Sequence, residues 1–167
     1  APAPVCLSSN VARLSKLVGL SESDCRILEF AVMIHNEQLL EDTADWLGAL
    51  SSTKAFHTLS LLLDIPEPEI RMSLGAQGLL AKSGLVSVDR SGISRLRYKL
   101  DLLSSNFADC IFTADTDPVS LLRDTVASAS PAQLSLCDYE HIAPSLAVLR
   151  PYLKQSIASG RKGVNVF

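Results

Sequence analysis

The sequence predicts a mainly α (α+β) fold: a helical bundle with a winged-helix element and a small antiparallel β-hairpin. Three observations carry this. Apolar residues recur at helical spacing from Leu7 to Leu63, between recognisable start and stop signals. The stretch Pro66–Leu100 then changes period, from a short helix through glycine-punctuated turns to two alternating runs around Ser91-Gly92. A composition of 47% hydrophobic but only 5% aromatic residues favours helices packed through aliphatic side chains over a large sheet.

In chain order, residues 1–6 are proline-rich and read as loose. Leu7, Val11, Leu14 and Val18 form the stripe of a first helix, with Gly19 placed as its C′ residue. Ser21-Glu-Ser-Asp24 is a capping-box-like start. The helix it opens is apolar nearly all round through Ile34, so it is expected to be the most buried. A third helix runs from Gln38 to Leu50, with Leu39, Leu40, Thr43, Trp46, Leu47 and Leu50 assigned to the inner side. Ser52 is a candidate cap for the next, about Thr53 to Leu63, which presents Phe56, Leu59, Leu62 and Leu63. Pro66 ends that helix by pushing its predecessor out of the helical region.

A short helix follows with Glu67 and Glu69 in its first turn and Ile70 and Leu74 inward. Gly75 and Gly78 limit it to about two turns, and Leu79-Leu80 leads out less regularly. Leu85–Val88 and Arg95–Leu100 alternate and are read as one antiparallel ribbon. In its second strand Leu96, Tyr98 and Leu100 face the core, and Arg95, Arg97 and Lys99 face solvent. Ser104 or Ser105 caps a helix carrying Phe107, Cys110 and Ile111. Asp117-Pro118 starts another. Pro144 opens a last helix with Leu146, Leu149, Leu153 and Ile157 along one side and a kink expected at Pro151. Val164–Phe167 is β-like. The boundary falls between a helical/winged-helix domain, 7–112, and a helical C-terminal arm, 113–167, leading to an ATPase module outside the chain.

Chemistry is sparse. The formal net charge of −3 argues against a general polyanion binder. Cys6, Cys25, Cys110 and Cys137 form no C-x-x-C pair, and free thiols point to a reducing, cytoplasmic setting. No apolar run reaches the ~18 residues of a membrane span, so no membrane partner is expected. His35, His57 and His141 stand singly, without metal-ligand spacing, and no nucleophile constellation is visible. No catalytic, cofactor-binding or metal residue is assigned, and the carboxylates read as helix caps or solvated faces. Gly160-x-x-Gly163 is not a phosphate loop, because no Gly-Lys-Ser/Thr follows.

The one local concentration of charge is the ribbon. Between Gly84 and Leu100, Arg90, Arg95, Arg97 and Lys99 oppose only Asp89, a local charge of +3. With Arg71 these are the candidate contacts to a nucleic-acid backbone or a protein partner. A solvated outer strand face whose charges discourage edge pairing is the competing reading. The acids Asp64, Glu67 and Glu69 on the preceding helix argue against base reading, because in helix-turn-helix proteins that helix's first turn meets the DNA.

Leu149-Arg-Pro-Tyr-Leu153, the run to Ile157, and Gly160-Arg-Lys-Gly-Val-Asn-Val-Phe167 resemble the lead-in to the ATPase module of bacterial AAA-type ATPases. In that family a segment like Gly163-Val-Asn-Val166 is the first core strand, and the Walker A loop follows it directly. Leu79–Val88 also resembles the N-terminal region of this group. The resemblance implies a non-catalytic recognition or regulatory domain ahead of an ATP-driven motor. ATP and magnesium would then belong to the longer protein, the domain would contact a protein client or its own ATPase module, and oligomers would form through that module. A DNA-binding winged-helix transcription regulator using the basic ribbon is the alternative.

Overall fold

The computed structural model describes residues 3–113, 117–122, 131 and 133–160. It is mainly helical with one small two-stranded antiparallel sheet. The described residues fall into two compact units, one within Ala1–Ala127 and the other within Ser128–Phe167. The expected boundary at 112/113 moves toward the C-terminus. The helix started by Asp117-Pro118 packs against the first helix of unit one, and its Leu121 is buried. Among the described residues no helix is long and apolar enough to cross a membrane. The expected strand at Val164–Phe167 lies outside the described residues.

Unit one is built on α1 (Val5–Val18) and α2 (Glu22–Asn36). Gly19 closes α1 at φ 85°, a left-handed position where a side chain would be strained. Ser21 Oγ accepts from the Asp24 N–H at 3.1 Å, and Asp24 Oδ2 accepts from the Ser21 N–H at 3.0 Å. The expected capping box is therefore complete. Ile27, Leu28, Ala31, Val32 and Ile34 of α2 are fully buried, and α2 is indeed the spine of the core.

Two side-chain amides, the buried Asn10 and the half-buried Asn36, tie α1 and α2 to α8 (Ser105–Thr113). Asn10 Nδ2 of α1 donates to Ile111 O at 3.0 Å, and Asn36 Nδ2 of α2 donates to Ala108 O at 3.2 Å. His35 Nε2 donates to Leu100 O at 2.7 Å, binding α2 to the sheet. His35 is thus a structural histidine whose proton serves a carbonyl.

The helix α3 (Gln38–Asp45) is shorter than expected, ending before Trp46, with a turn through Gly48 at φ 71°. Its inward residues are Leu40 and Ala44. Leu39 and Trp46, expected inside, are exposed. The cap of α4 (Ser52–Leu63) is Ser51, one residue before the expected Ser52. Ala55, Phe56 and Leu59 are buried, whereas Leu62 is half out. The helix α5 (Glu67–Ser73) has the expected two turns, and a single turn, α6 (Leu79–Lys82), follows. Gly78 between them is dictated by close approach, because a Cβ there would collide with the Met72 and Ser73 carbonyl oxygens.

The ribbon differs most from expectation. Strand β1 (Val86–Val88) pairs with β2 (Leu100–Leu102) in the register Val86↔Leu102, Ser87↔Asp101, Val88↔Leu100. Residues Leu96–Lys99, expected as strand, form the helical turn α7. Leu96 and Leu100 are both buried, as either period requires, since they are four apart. The two periods disagree on the residues between. Tyr98 is 55% exposed and Lys99 is fully buried, the reverse of the expected strand. The short α9 (Pro118–Leu121) completes unit one.

In unit two a 3-10 segment over Leu136–Ile142 leads into α10 (Ala143–Ala158), which carries Pro151 in its interior. No residue of α10 is buried, and Val148, Tyr152 and Ile157 are exposed.

Candidate partner-binding surface

The helix α3 and the segment 89–99 come together through backbone and side chain. Leu50 N donates to Ser94 O at 2.8 Å, and Ser94 N donates back to Leu50 O at 3.2 Å. Glu41 and Asp45, one turn apart on α3, then face the arginines of the segment. Arg95 is ion-paired with Asp45. Arg97 Nε lies 3.2 Å from Glu41 Oε1, an ionic approach outside hydrogen-bonding alignment.

Lys99, expected in solvent, is buried. Its Nζ donates to Asp89 O at 2.9 Å and Gly92 O at 2.7 Å, and lies 3.8 Å from Asp89 Oδ2. A buried ammonium needs such partners, and here it clamps the 89–92 turn from within. Asp89 closes the same turn, accepting from Ser91 Oγ and from Ser91 N at 2.8 Å. The Ser91 hydroxyl first, then the Ser91 amide and the Lys99 charge, hold the Asp89 carboxyl below its ordinary value.

Arg71 lies on a different element. Its Nε donates to Glu67 Oε1 at 2.8 Å, one turn back on α5, and its guanidinium sits 5.1 Å from the centre of the Phe56 ring. The hydrogen bonds from Arg71 and His57 lower the Glu67 carboxyl. Of the five candidate residues Arg71, Arg90, Arg95, Arg97 and Lys99, four are therefore committed to acids. Arg90 is exposed and has no ion-pair partner among the described residues.

Sequence reasoning missed what borders these pairs. Trp46, the chain's single tryptophan, is 90% exposed next to Asp45. Ile93, 70% exposed, precedes Ser94. Tyr98 follows Arg97, whose guanidinium lies 5.2 Å from its ring centre. Trp46, Ile93 and Tyr98 are thus exposed apolar or aromatic residues within two positions in sequence of the ion-paired Asp45, Arg95 and Arg97. One available signal for Trp46 was Gly48, which shortens α3 and releases Trp46 from the inner face.

Among the described residues no group of three or more His, Cys, Asp or Glu is placed to hold a metal. Comparison with family models, curated proteins and solved structures finds no match for this chain.

Proposed function

We propose that this chain is a non-catalytic recognition domain that contacts a protein client, placed N-terminal to the ATPase module of an AAA-type protein. The observation that carries the recognition reading is the exposed Trp46, adjacent in sequence to the ion-paired Asp45, with Ile93 and Tyr98 likewise exposed in the segment that carries Arg95 and Arg97. Tryptophan, tyrosine and arginine are the residue types that dominate binding energy at protein interfaces. An indole left in water gains area and loses little side-chain freedom when an apolar anchor covers it. The pairing of Arg71, Arg95, Arg97 and Lys99 weighs against the DNA reading, since phosphates would have to displace carboxylates already in place. The link to an ATPase rests on the resemblance of residues 149–167.

Crosslinking tests the surface. A photoreactive residue at position 46 of the longer protein should give a client adduct, while the same residue at Leu17, exposed on α1, gives none. Excess wild-type domain should suppress the adduct, and a Trp46→Ala, Tyr98→Ala domain should not. Equal suppression by both would overturn the reading. Duplex DNA affinity that drops steeply with salt and is lost in Arg95→Ala, Arg97→Ala would favour the DNA alternative. The ATPase assignment is checked by the coding sequence beyond Phe167. A Gly-Lys-Ser/Thr within about 15 residues is expected, and its absence removes the assignment.

A further inference from the structure

An open groove of about 290 Å³ runs between α2, α3 and α4, and it shares no residue with the candidate surface described above. Phe30 and Met33 of α2, Leu40 of α3, and Leu62 and Leu63 of α4 line it, together with Arg26 and Glu29. Arg26, Glu29, Phe30 and Met33 stand at i, i+3, i+4 and i+7, one stripe of α2. Phe30, Met33, Leu40 and Leu63 also rest against the core, so the fold fixes the apolar floor. The Arg26 guanidinium donates to the Leu63 carbonyl, one of those a helix end leaves without an intrahelical partner. Arg26 therefore fastens α2 to α4 and forms no ion pair with Glu29. Glu29 is half-buried and has no hydrogen-bond or ion-pair partner among the described residues. The three helices are acidic as well. From Glu22 to Asp64 eight aspartates and glutamates oppose two basic residues, Arg26 and Lys54, in a chain of net charge −3. Arg95 and Arg97 neutralise only Asp45 and Glu41.

We propose that this groove docks a basic amphipathic helix of a partner protein. The helix places one large apolar side chain on the floor and, a turn away, a lysine or arginine against Glu29. Three features select that occupant. The volume is at the small end of ligand pockets and holds one leucine- or phenylalanine-sized anchor. The walls are helices, whose backbone groups are already bonded, so no sheet edge is offered to an extended peptide, and the helix-in-groove mode remains. Met33 in the floor adapts to the shape of the anchor. The third feature is charge. An unpaired carboxylate in an acidic helical layer attracts a cationic helix and repels the phosphates of nucleic acids and anionic membranes. The groove is independent of Trp46, and its occupant need not be the client that Trp46 meets.

The test is an amide chemical-shift titration of the full 167-residue chain with a capped peptide of three Lys-Leu-Leu-Lys repeats. Two controls change one property each: Glu-Leu-Leu-Glu repeats reverse the charge, and Lys-Ser-Ser-Lys repeats remove the apolar face. The first peptide should bind in the high-micromolar range and shift Phe30, Met33, Leu40, Leu62 and Leu63. Both controls should bind at least about tenfold more weakly. Leu62→Ser, at a half-exposed position, should weaken binding by about tenfold through lost apolar contact. Glu29→Gln should weaken it several-fold and reduce its dependence on salt. Circular dichroism confirms that both variants are folded. The Trp46→Ala, Tyr98→Ala chain should bind the peptide as the wild type does, which separates failure here from failure of the Trp46 surface. Equal binding of the glutamate peptide, wild-type affinity in both groove variants, or shifts confined to Trp46, Ile93 and Tyr98 would each overturn the proposal.

Discussion

Lys99 and Trp46 are each the opposite of what their residue types suggest, and each has a measurable consequence. The Lys99 ammonium satisfies two carbonyls of the 89–92 turn, so Lys99→Met, which keeps the stem, leaves both without a donor. We expect a loss of about 2 kcal/mol, read as a lower urea midpoint at unchanged slope. The same turn should titrate. The Asp89 carboxyl is lowered from its ordinary 3.8 by Ser91 and Lys99. Its stabilising effect is therefore full well above 3.8 and disappears as the pH falls through the lowered value. The stability difference between wild type and Asp89→Asn should be constant from pH 5 to 7 and should shrink as the pH falls below 3.8, measured by denaturant unfolding at each pH. Trp46→Ala should change stability by no more than about 0.5 kcal/mol, because its indole covers almost nothing within the chain. Phe107→Ala, at a fully buried position of α8, should cost about 3–5 kcal/mol. A large cost for Trp46→Ala would mean that the indole packs inside.

At the scale of elements, the capping signals tell the most. Ser21→Ala removes one half of a complete capping box on the central helix and should cost about 1 kcal/mol by thermal or urea unfolding. Ser51→Ala should cost less, since Ser51 Oγ is 3.4 Å from the Lys54 amide and receives no reciprocal bond at the same cap. Equal losses would show that cap geometry does not set the difference. The capped starts of α2 and α8 (where Ser104 Oγ accepts from the Phe107 N–H at 3.0 Å), the closure at Gly19 and the two turns of α5 were legible because each is decided within a few residues. The turn α7 was not. Leu96 and Leu100 fit a strand and a helix equally well, and what separates the two lies elsewhere in the chain. Leu50 takes the Ser94 backbone, and Asp89 N takes Lys99 O at 3.0 Å. The candidate surface was half legible for the same reason. Its arginines stand out in the sequence as a basic run, but the Glu41 and Asp45 that neutralise them come from a helix about fifty positions earlier.

Across the whole molecule, every buried apolar side chain among the described residues lies between Leu7 and Leu121. Unit one therefore holds its own core, and a chain ending at Ala127 should unfold cooperatively with a melting temperature within about 3 °C of the full chain. A much lower value would show that residues beyond 127 stabilise it. The Asp117-Pro118 start was readable, but its docking was not, because nothing near Leu121 in the sequence names α1 as its neighbour. The pairing of α1 with α8 and α9, fastened by the Asn10–Ile111 bond across 101 positions, also sets how the unit carries load. A pull applied to both ends passes first through these helices, and the chain between them forms a slack loop. The ribbon lies within that loop, whereas α2, packed on α1 and bonded to α8 through Asn36, shares the load, so the first event of forced unfolding is the parting of the two ends of the unit.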